Sequence, residues 1–335
     1  MSSLLPRPGH GLLRCPLCRR GLTAAAGTLV CRNRHAFDLA REGYVNLLRS
    51  GGRRPALGGD SPVQLRHRAA FLEAGHFDVI AATIAEHVRE ADTKPASGQW
   101  HVLDAGSGTG HQLAGIAAAL SPPIAGLGFD ISKDAARQAA RRWPALVFAV
   151  ADVWTEWPVH DAAIDLVVSI FAPKNFPEAA RVLRPGGWLV VAYPGPDHMV
   201  ELRERFCPMG QHEDTPRRYA EMARRFIGPC TFARLCRDVV LDGAAIRNAV
   251  LMGPNGRHIS PSMLGPSPGP LAVTLDVIVL FARKPERNPW SPIAQQSLQS
   301  GSCRLTHRPP ATNFGLHLTP LAEPLPPSFG PASRH

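Results

Sequence analysis

The feature that most limits what this chain can become is the run His101-Val102-Leu103-Asp104-Ala105-Gly106-Ser107-Gly108-Thr109-Gly110. An apolar segment ends in an acid, three glycines follow at alternate positions, and a helical pattern comes next. A strand that closes in a glycine-rich turn before a helix lets a ligand lie against bare backbone, because glycine has no Cβ to block it and tolerates left-handed turns. The spacing fails the dinucleotide fingerprint G-x-G-x-x-G, since the place of its third glycine is taken by His111. Two further segments extend the pattern. Ile124–Asp130 is apolar and ends in an acid, roughly 20 residues past the glycines, the separation of a carboxylate that takes ribose hydroxyls. Leu146–Asp152 is the next such stretch and also ends in an acid.

The periodicity around this run alternates. Strands are expected at 100–105, 124–130, 146–150, 164–170 and 187–193, and helices at 111–120, 132–142 and 175–183, with Ser132 as a cap. Such a βαβ series implies an α/β fold, Rossmann-like, with a mostly parallel sheet covered on both faces. Arg184-Pro185-Gly186-Gly187 reads as a turn before the fifth strand, and Leu271–Phe281 as a long terminal strand. Helical patterns also occupy 63–76, 77–91 and 201–225. In the first of these Leu65, Ala69, Phe71 and Leu72 share one side, which leaves Arg66, His67 and Arg68 for RNA.

The N-terminal end has another character. Cys15-Pro16-Leu17-Cys18 is followed after twelve residues by Cys31-Arg32-Asn33-Arg34-His35. Two knuckles in register supply three thiolates and an imidazole, a closed tetrahedral set for structural zinc with no position left for a reactive water. So small a piece holds no core without metal. Cys207, Cys230, Cys236 and Cys303 lack such pairing and read as ordinary thiols. The odd count of seven cysteines argues for a reducing compartment.

Residues 1–76 carry twelve arginines and no lysine against four acids, within a formal net charge of +10. Guanidinium groups fork onto phosphate oxygens, so this end suits a polyanion. No apolar run reaches the ~18 residues of a membrane span, and Met1–His10 is too short and proline-broken for a secretory leader. The expected organisation is a zinc-binding module over 1–48, a basic linker and helix over 49–76, the α/β domain over 77–284, and a Pro/Ser-rich disordered tail over 285–335.

The run Asp104-Ala-Gly-Ser-Gly-Thr-Gly110 resembles the first motif of class I S-adenosylmethionine (SAM)-dependent methyltransferases. The chain as a whole resembles a narrower family. The zinc knuckles, Arg41-Glu-Gly-Tyr-Val-Asn-Leu-Leu48, Gly59-Asp-Ser61, Phe71-Leu-Glu-Ala-Gly-His-Phe77, Phe171-Ala-Pro-Lys174, Arg184–Trp188 and Tyr193–His198 are similar to the bacterial 23S rRNA (guanine-N1) methyltransferases, over roughly residues 14–284. Ala172-Pro-Lys-Asn175 and Met252–His258 resemble its Gram-positive, tylosin-resistance-like branch.

The resemblance implies SAM held by Phe77, Asp104, Gly106, Gly108, Thr109, Gly110, Asp130, Asp152 and His198, with Asp152 near the adenine, and one structural zinc on Cys15, Cys18, Cys31 and His35. Phe77 stands where the family often has Tyr. The resemblance further implies a cytoplasmic enzyme acting on a hairpin loop in domain II of 23S rRNA, a homodimer whose fingers help form the RNA cleft, and an effect on macrolide sensitivity. Phe171 lies where related nucleic-acid methyltransferases put a base-facing segment. No residue is named as the base. Two other readings stay open: a methyltransferase for a small molecule or another RNA, and a non-catalytic zinc-finger RNA-binding protein.

Overall fold

The computed structural model describes residues 6–49, 59–91, 95, 97–206, 215–253, 256, 259 and 269–286. A 3-10 turn at Pro8–Leu12 is followed by four short strands: β1 (Leu22–Ala25), β2 (Thr28–Cys31), β3 (Ala36–Asp38) and β4 (Tyr44–Asn46). Helices α1 (Pro62–Glu73) and α2 (Asp78–Glu90) follow. Alternation then sets in with β5 (Trp100–Ala105), α3 (His111–Ala119), β6 (Ile124–Asp130), α4 (Lys133–Arg142), β7 (Val147–Val150), β8 (Ile164–Ile170), α5 (Phe176–Val182) and β9 (Leu183–Pro194). The last described elements are α6 (Val200–Phe206), α7 (Thr215–Phe226), β10 (Cys230–Leu241), α8 (Gly243–Met252) and β11 (Leu271–Arg283).

The main sheet runs β10-β11-β9-β8-β5-β6-β7-β4. From β9 to β4 the pairs are parallel, while β11 lies antiparallel between β9 and β10. Every residue of β7 and β8 is buried, which is why these strands read as mainly apolar runs, broken only by Asp165 and Ser169 in β8, rather than as alternating ones. The chain moves outward from β5 through β6 to β7, then returns to the other flank of β5 with β8. Such a reversal opens a crevice beyond the carboxyl ends of the two central strands. Here those ends lead into Gly106 and Phe171.

One face of the sheet is covered by α2, α3, α4 and α8, with Ile80, Ile84, Leu113 and Ile116 packed among Val102, Leu166 and Val190. The other face is covered by α5 and α7 only in part. The crossover from β7 to β8, residues 151–163, contains no helix. Leu13, Leu22 and Leu29 of the N-terminal segment fill that place and share one core with Leu127, Val147 and Trp157. The small β1-β2-β3 sheet stands on this base, and β4 pairs with β7 as an edge strand of the main sheet. Arg14 seals the junction, donating to Glu156 (2.5 Å) and Asp161 (2.9 Å).

Ser132 caps α4 as expected, its Oγ accepting the Ala135 N–H at 3.3 Å. Ser61 caps α1 in a closed box with Gln64, a device of about 1 kcal/mol. The helix expected over 63–76 thus runs from Pro62 to Glu73. Arg66 is exposed, but His67 bonds Asn248 (2.8 Å) and Arg68 bonds Asp60 and the Met252 carbonyl. Those two side chains hold α1 to its neighbours and are not left for RNA.

Three further expectations are corrected. Arg184–Gly187 is not a separate turn; it is a bulge inside β9, where the register against β8 slips between Ile164 and Leu166. The stretch 201–225 is two helices, with 207–214 outside the described residues. β10 carries no strand signal in the sequence. It is an edge strand carrying Arg234, Arg237 and Asp238, and charge on an edge blunts further pairing while erasing the apolar signal. Most of the expected linker (50–58), nearly all of the tail (287–335) and much of Met252–His258 lie outside the described residues.

Candidate cofactor site and metal centre

In the N-terminal sheet, each knuckle turns on a residue in the left-handed region, Arg19 (φ 62°) and Arg34 (φ 61°). The Arg19 N–H donates to the Cys15 carbonyl (2.8 Å) and the Arg34 N–H to that of Cys31 (2.9 Å). These turns bring Cys15, Cys18, Cys31 and His35 together, with one ligand atom from each lying within 4.8 Å of all the others. Cys18 and Cys31 Sγ are 3.6 Å apart, and His35 Nδ1 is 3.4 and 3.5 Å from the sulfurs of Cys15 and Cys31. A tetrahedron with Zn–S bonds of about 2.3 Å and Zn–N of about 2.0 Å has edges of roughly 3.5–3.8 Å. The donor set and its spacing fit a structural zinc ion.

The second site forms at the sheet reversal. Gly106, Gly108 and Gly110 all have positive φ (84°, 52° and 76°). A Cβ on Gly106 would stand 2.5 Å from that of Ala172, so at this position only glycine lets the two central loops meet. The loop is pinned from β6. Both the Gly106 and Ser107 N–H groups donate to the Phe129 carbonyl (2.9 Å each), and the Gly108 N–H donates to Asp130 Oδ2 (3.0 Å). Asp130 Oδ1 accepts the Ser132 N–H at 2.8 Å. Asp104 lies beneath the loop, 2% exposed. Burial first, and the neighbouring Asp130 charge second, push its carboxyl up to about 8.

A cavity of about 830 Å³ opens above, within the span of roughly 300–1,000 Å³ for small-molecule sites. Of the residues expected to hold the cofactor, Phe77, Asp104, Gly106, Gly108, Thr109 and His198 line it. Gly110, Asp130 and Asp152 do not. Gly110 begins α3 against Phe148 and Trp143. Asp130 spends both oxygens on loop backbone, and Asp152 closes its own turn by accepting the Trp154 N–H at 2.9 Å.

Three rings meet on one wall. Phe77 is stacked on His198 (5.8 Å, 21°), and Phe171 lies 5.2 Å from Phe77 and 5.8 Å from His198. Phe171 has φ 51°, costly for an aromatic residue and usual where a site fixes a side chain. His198 Nδ1 accepts the Asp276 N–H at 3.3 Å. Burial lowers its pKa to about 4, so the imidazole is neutral at pH 7 with its hydrogen on Nε2.

The cavity also holds side chains to which the motifs assign no role. Lys174, Tyr193 and Tyr219 line the same cavity. The Lys174 Nζ lies 5.4 Å from the Tyr219 ring centre, and the Tyr193 and Tyr219 rings meet edge to face at 5.1 Å. Lys174 belongs to the Ala172-Pro-Lys-Asn175 segment, yet a motif match does not say which way its side chain turns. Tyr219 comes from α7, a helix legible only as a charged stretch.

Comparison with known proteins agrees with these two sites. Residues 13–50 match the family described as "RlmA, N-terminal", a zinc ribbon, and residues 102–187 match the family described as "Methyltransferase domain". A Streptomyces fradiae protein named 23S rRNA (guanine(748)-N(1))-methyltransferase is 38% identical over 81% of this chain and 96% of its own length. A Micromonospora griseorubida protein named for guanine-N1 methylation of 23S rRNA is 37% identical over the same shares. A Bacillus subtilis relative named for that reaction is 36% identical, over 62% of this chain and 71% of its own.

Proposed function

This chain belongs to the 23S rRNA (guanine-N1)-methyltransferase family, and we propose that it transfers the methyl group of SAM to N1 of a guanine in a hairpin loop of domain II of 23S rRNA. The observation that carries this is a single cavity joining the glycine loop after β5 to Phe171, the residue that leaves β8 at the base-facing place. The cofactor supplies a methyl already activated on a sulfonium. The chain's work is to place it.

The glycine loop presents backbone without side chains, held rigid by Phe129 and Asp130. Neutral His198 adds no positive charge to a cavity that must accept a sulfonium. Its ring and those of Phe77 and Phe171 offer flat apolar surface beside the loop. A guanine must leave its stack to enter, and aromatic surface favours the unstacked base. Holding two reactants in line removes much of the entropic barrier to transfer. The zinc ribbon and its arginines stand on the same core, so RNA held there is held in fixed relation to the cavity. Among the described residues no helix is long and apolar enough to cross a membrane.

The proposal includes the homodimer and the macrolide effect that the sequence resemblance implies. Sedimentation at micromolar concentration tests the first. Unchanged drug sensitivity in a strain proven to lack the methyl group would sink the second. For the activity itself, purified protein is incubated with methyl-labelled SAM, with and without unmodified 23S rRNA. Label in RNA, with binding that weakens steeply as salt rises, supports the proposal. Transfer to small molecules without RNA contradicts it.

A further inference from the structure

Guanine N1 carries a hydrogen, and methylation needs a group that removes it. We propose that Lys174 is the catalytic base, its amine taking the N1 proton as N1 bonds to the methyl carbon. This rests on the guanine-N1 reading above and names the residue that performs its proton transfer.

Lys174 follows Phe171 by three residues in the segment that leaves β8 at the sheet reversal. Its side chain lines the cavity shared with the glycine loop and the aromatic wall. Nζ donates to the Ala172 carbonyl at 2.5 Å and rests over the Tyr219 ring. No carboxylate bonds to it among the described residues. From α7 it faces Tyr219, with Arg218 set 5.5 Å from the same ring, and from β9 it faces Tyr193. On its own side Glu178 is spent on Arg181 and the Trp157 N–H. A desolvated amine with no carboxylate bonded to it sheds its proton more readily than a free one. Burial brings its pKa down to about 8.

Four other titratable groups on the cavity are unsuited. His198 has Nδ1 engaged by the Asp276 N–H, which leaves the hydrogen on Nε2. Asp104 lies under the glycine loop and holds its own proton near neutrality. His111 is bound to Asp78 at 2.8 Å. Burial drives the Tyr193 phenol far above its usual range.

The electrons balance without a further reactant. The N1–H bond breaks, its proton goes to the lone pair of Lys174, and its electron pair becomes available to carbon. The N1–CH3 bond forms while the methyl–sulfur bond breaks, its pair remaining on sulfur. Lys174 ends as an ammonium and returns the proton to solvent.

The test is steady-state methyl transfer to unmodified 23S rRNA by the full chain, from pH 6 to 10. Lys174→Met is expected to lose at least 100-fold in kcat, within the range of general-base removal, with KM for RNA and SAM within about threefold. Lys174→Arg is expected to be no better, because a guanidinium keeps its proton over this range. Wild-type kcat is expected to rise with pH to a plateau, with a midpoint near 8, and the variants to lack that limb. Calorimetric SAM binding shows whether each variant is folded. Wild-type kcat in Lys174→Arg, or a wild-type profile flat between pH 7 and 9, overturns the assignment; the second needs no variant. Wild-type protein that leaves no methyl on guanine N1 removes the underlying reading and the lysine with it. Normal wild-type product with unaffected variants removes the lysine alone.

Discussion

His198 Nδ1 accepts the backbone N–H of Asp276 at 3.3 Å. That contact fixes both the ring's orientation and its tautomer. Asp276 is itself fully buried, and its carboxylate is gripped by Arg234 (2.8 and 2.9 Å) and by the Asp197 N–H (3.0 Å). Gly195 passes so close to this carboxylate that a Cβ would overlap it. The loop carrying His198 is therefore held by the long antiparallel strand β11 as well as by its own turn, in which the His198 N–H donates to the Gly195 carbonyl at 3.2 Å.

Replacing His198 with Ala leaves the Asp276 N–H buried without a partner. The expected loss of stability is about 1–3 kcal/mol, with SAM affinity lowered by tenfold or more. The pH dependence has a definite sign. Folded His198 stays neutral down to about 4, whereas the unfolded ring gains its proton near 6.5. Between those values the unfolded chain binds more protons, so this contribution is intact above 6.5 and fades as pH falls. Urea unfolding at pH 7 and 4.5 is expected to show a smaller drop for His198→Ala than for wild type.

Asp104 behaves in the opposite sense. Its folded carboxyl holds a proton up to about 8, while the unfolded group gives it up near 3.8. The contribution is intact in acid and disappears as pH rises through 8. Asp104→Asn keeps the uncharged form at every pH. Its melting temperature is expected to fall less between pH 6 and 9 than that of wild type, and a parallel decline in both proteins would refute the buried-acid assignment.

Gly106→Ala meets two obstacles at once, a positive φ and the Cβ of Ala172. Strain of this kind costs about 1–3 kcal/mol. Because the displaced backbone is the loop proposed to hold the cofactor, SAM binding by calorimetry is expected to drop by more than tenfold, while zinc content by absorption spectroscopy stays at one ion per chain.

Metal removal is expected to reach beyond the ribbon. Leu13, Leu22 and Leu29 share a core with Leu127 and Val147, and β4 completes the main sheet. Cys31→Ser, or stripping zinc with a strong chelator, is therefore expected to lower the melting temperature of the single transition that includes the α/β domain. Two separate transitions, with the upper one unmoved, would show that the ribbon folds apart from the sheet.

Much of this architecture was legible because parallel strands buried on both faces advertise themselves. Val147–Val150 is apolar throughout and Ile164–Ile170 is apolar but for Asp165 and Ser169, and the glycines, Ser132 and the zinc knuckles have chemistry that few alternatives share. What escaped reading depends on contacts distant in sequence. Tyr44–Asn46 is too short to mark as a strand, and becomes one only by pairing with β7. Arg68 looks free until Asp60 and the Met252 carbonyl meet it. β10 hides behind its edge charges. Lys174 belongs to a recognisable motif, but its approach to Tyr219 needs α7 folded against β9 and α5.

The most direct test maps the product. Purified full-length chain is incubated with SAM and 23S rRNA lacking the modification, and reverse transcriptase is run across domain II. A methyl on guanine N1 blocks base pairing, so it halts the polymerase. The predicted result is one new stop at a guanine in a domain II hairpin loop, dependent on SAM and absent with Gly106→Ala. SAM bound by the protein, with no stop anywhere in 23S rRNA, would contradict the proposed activity.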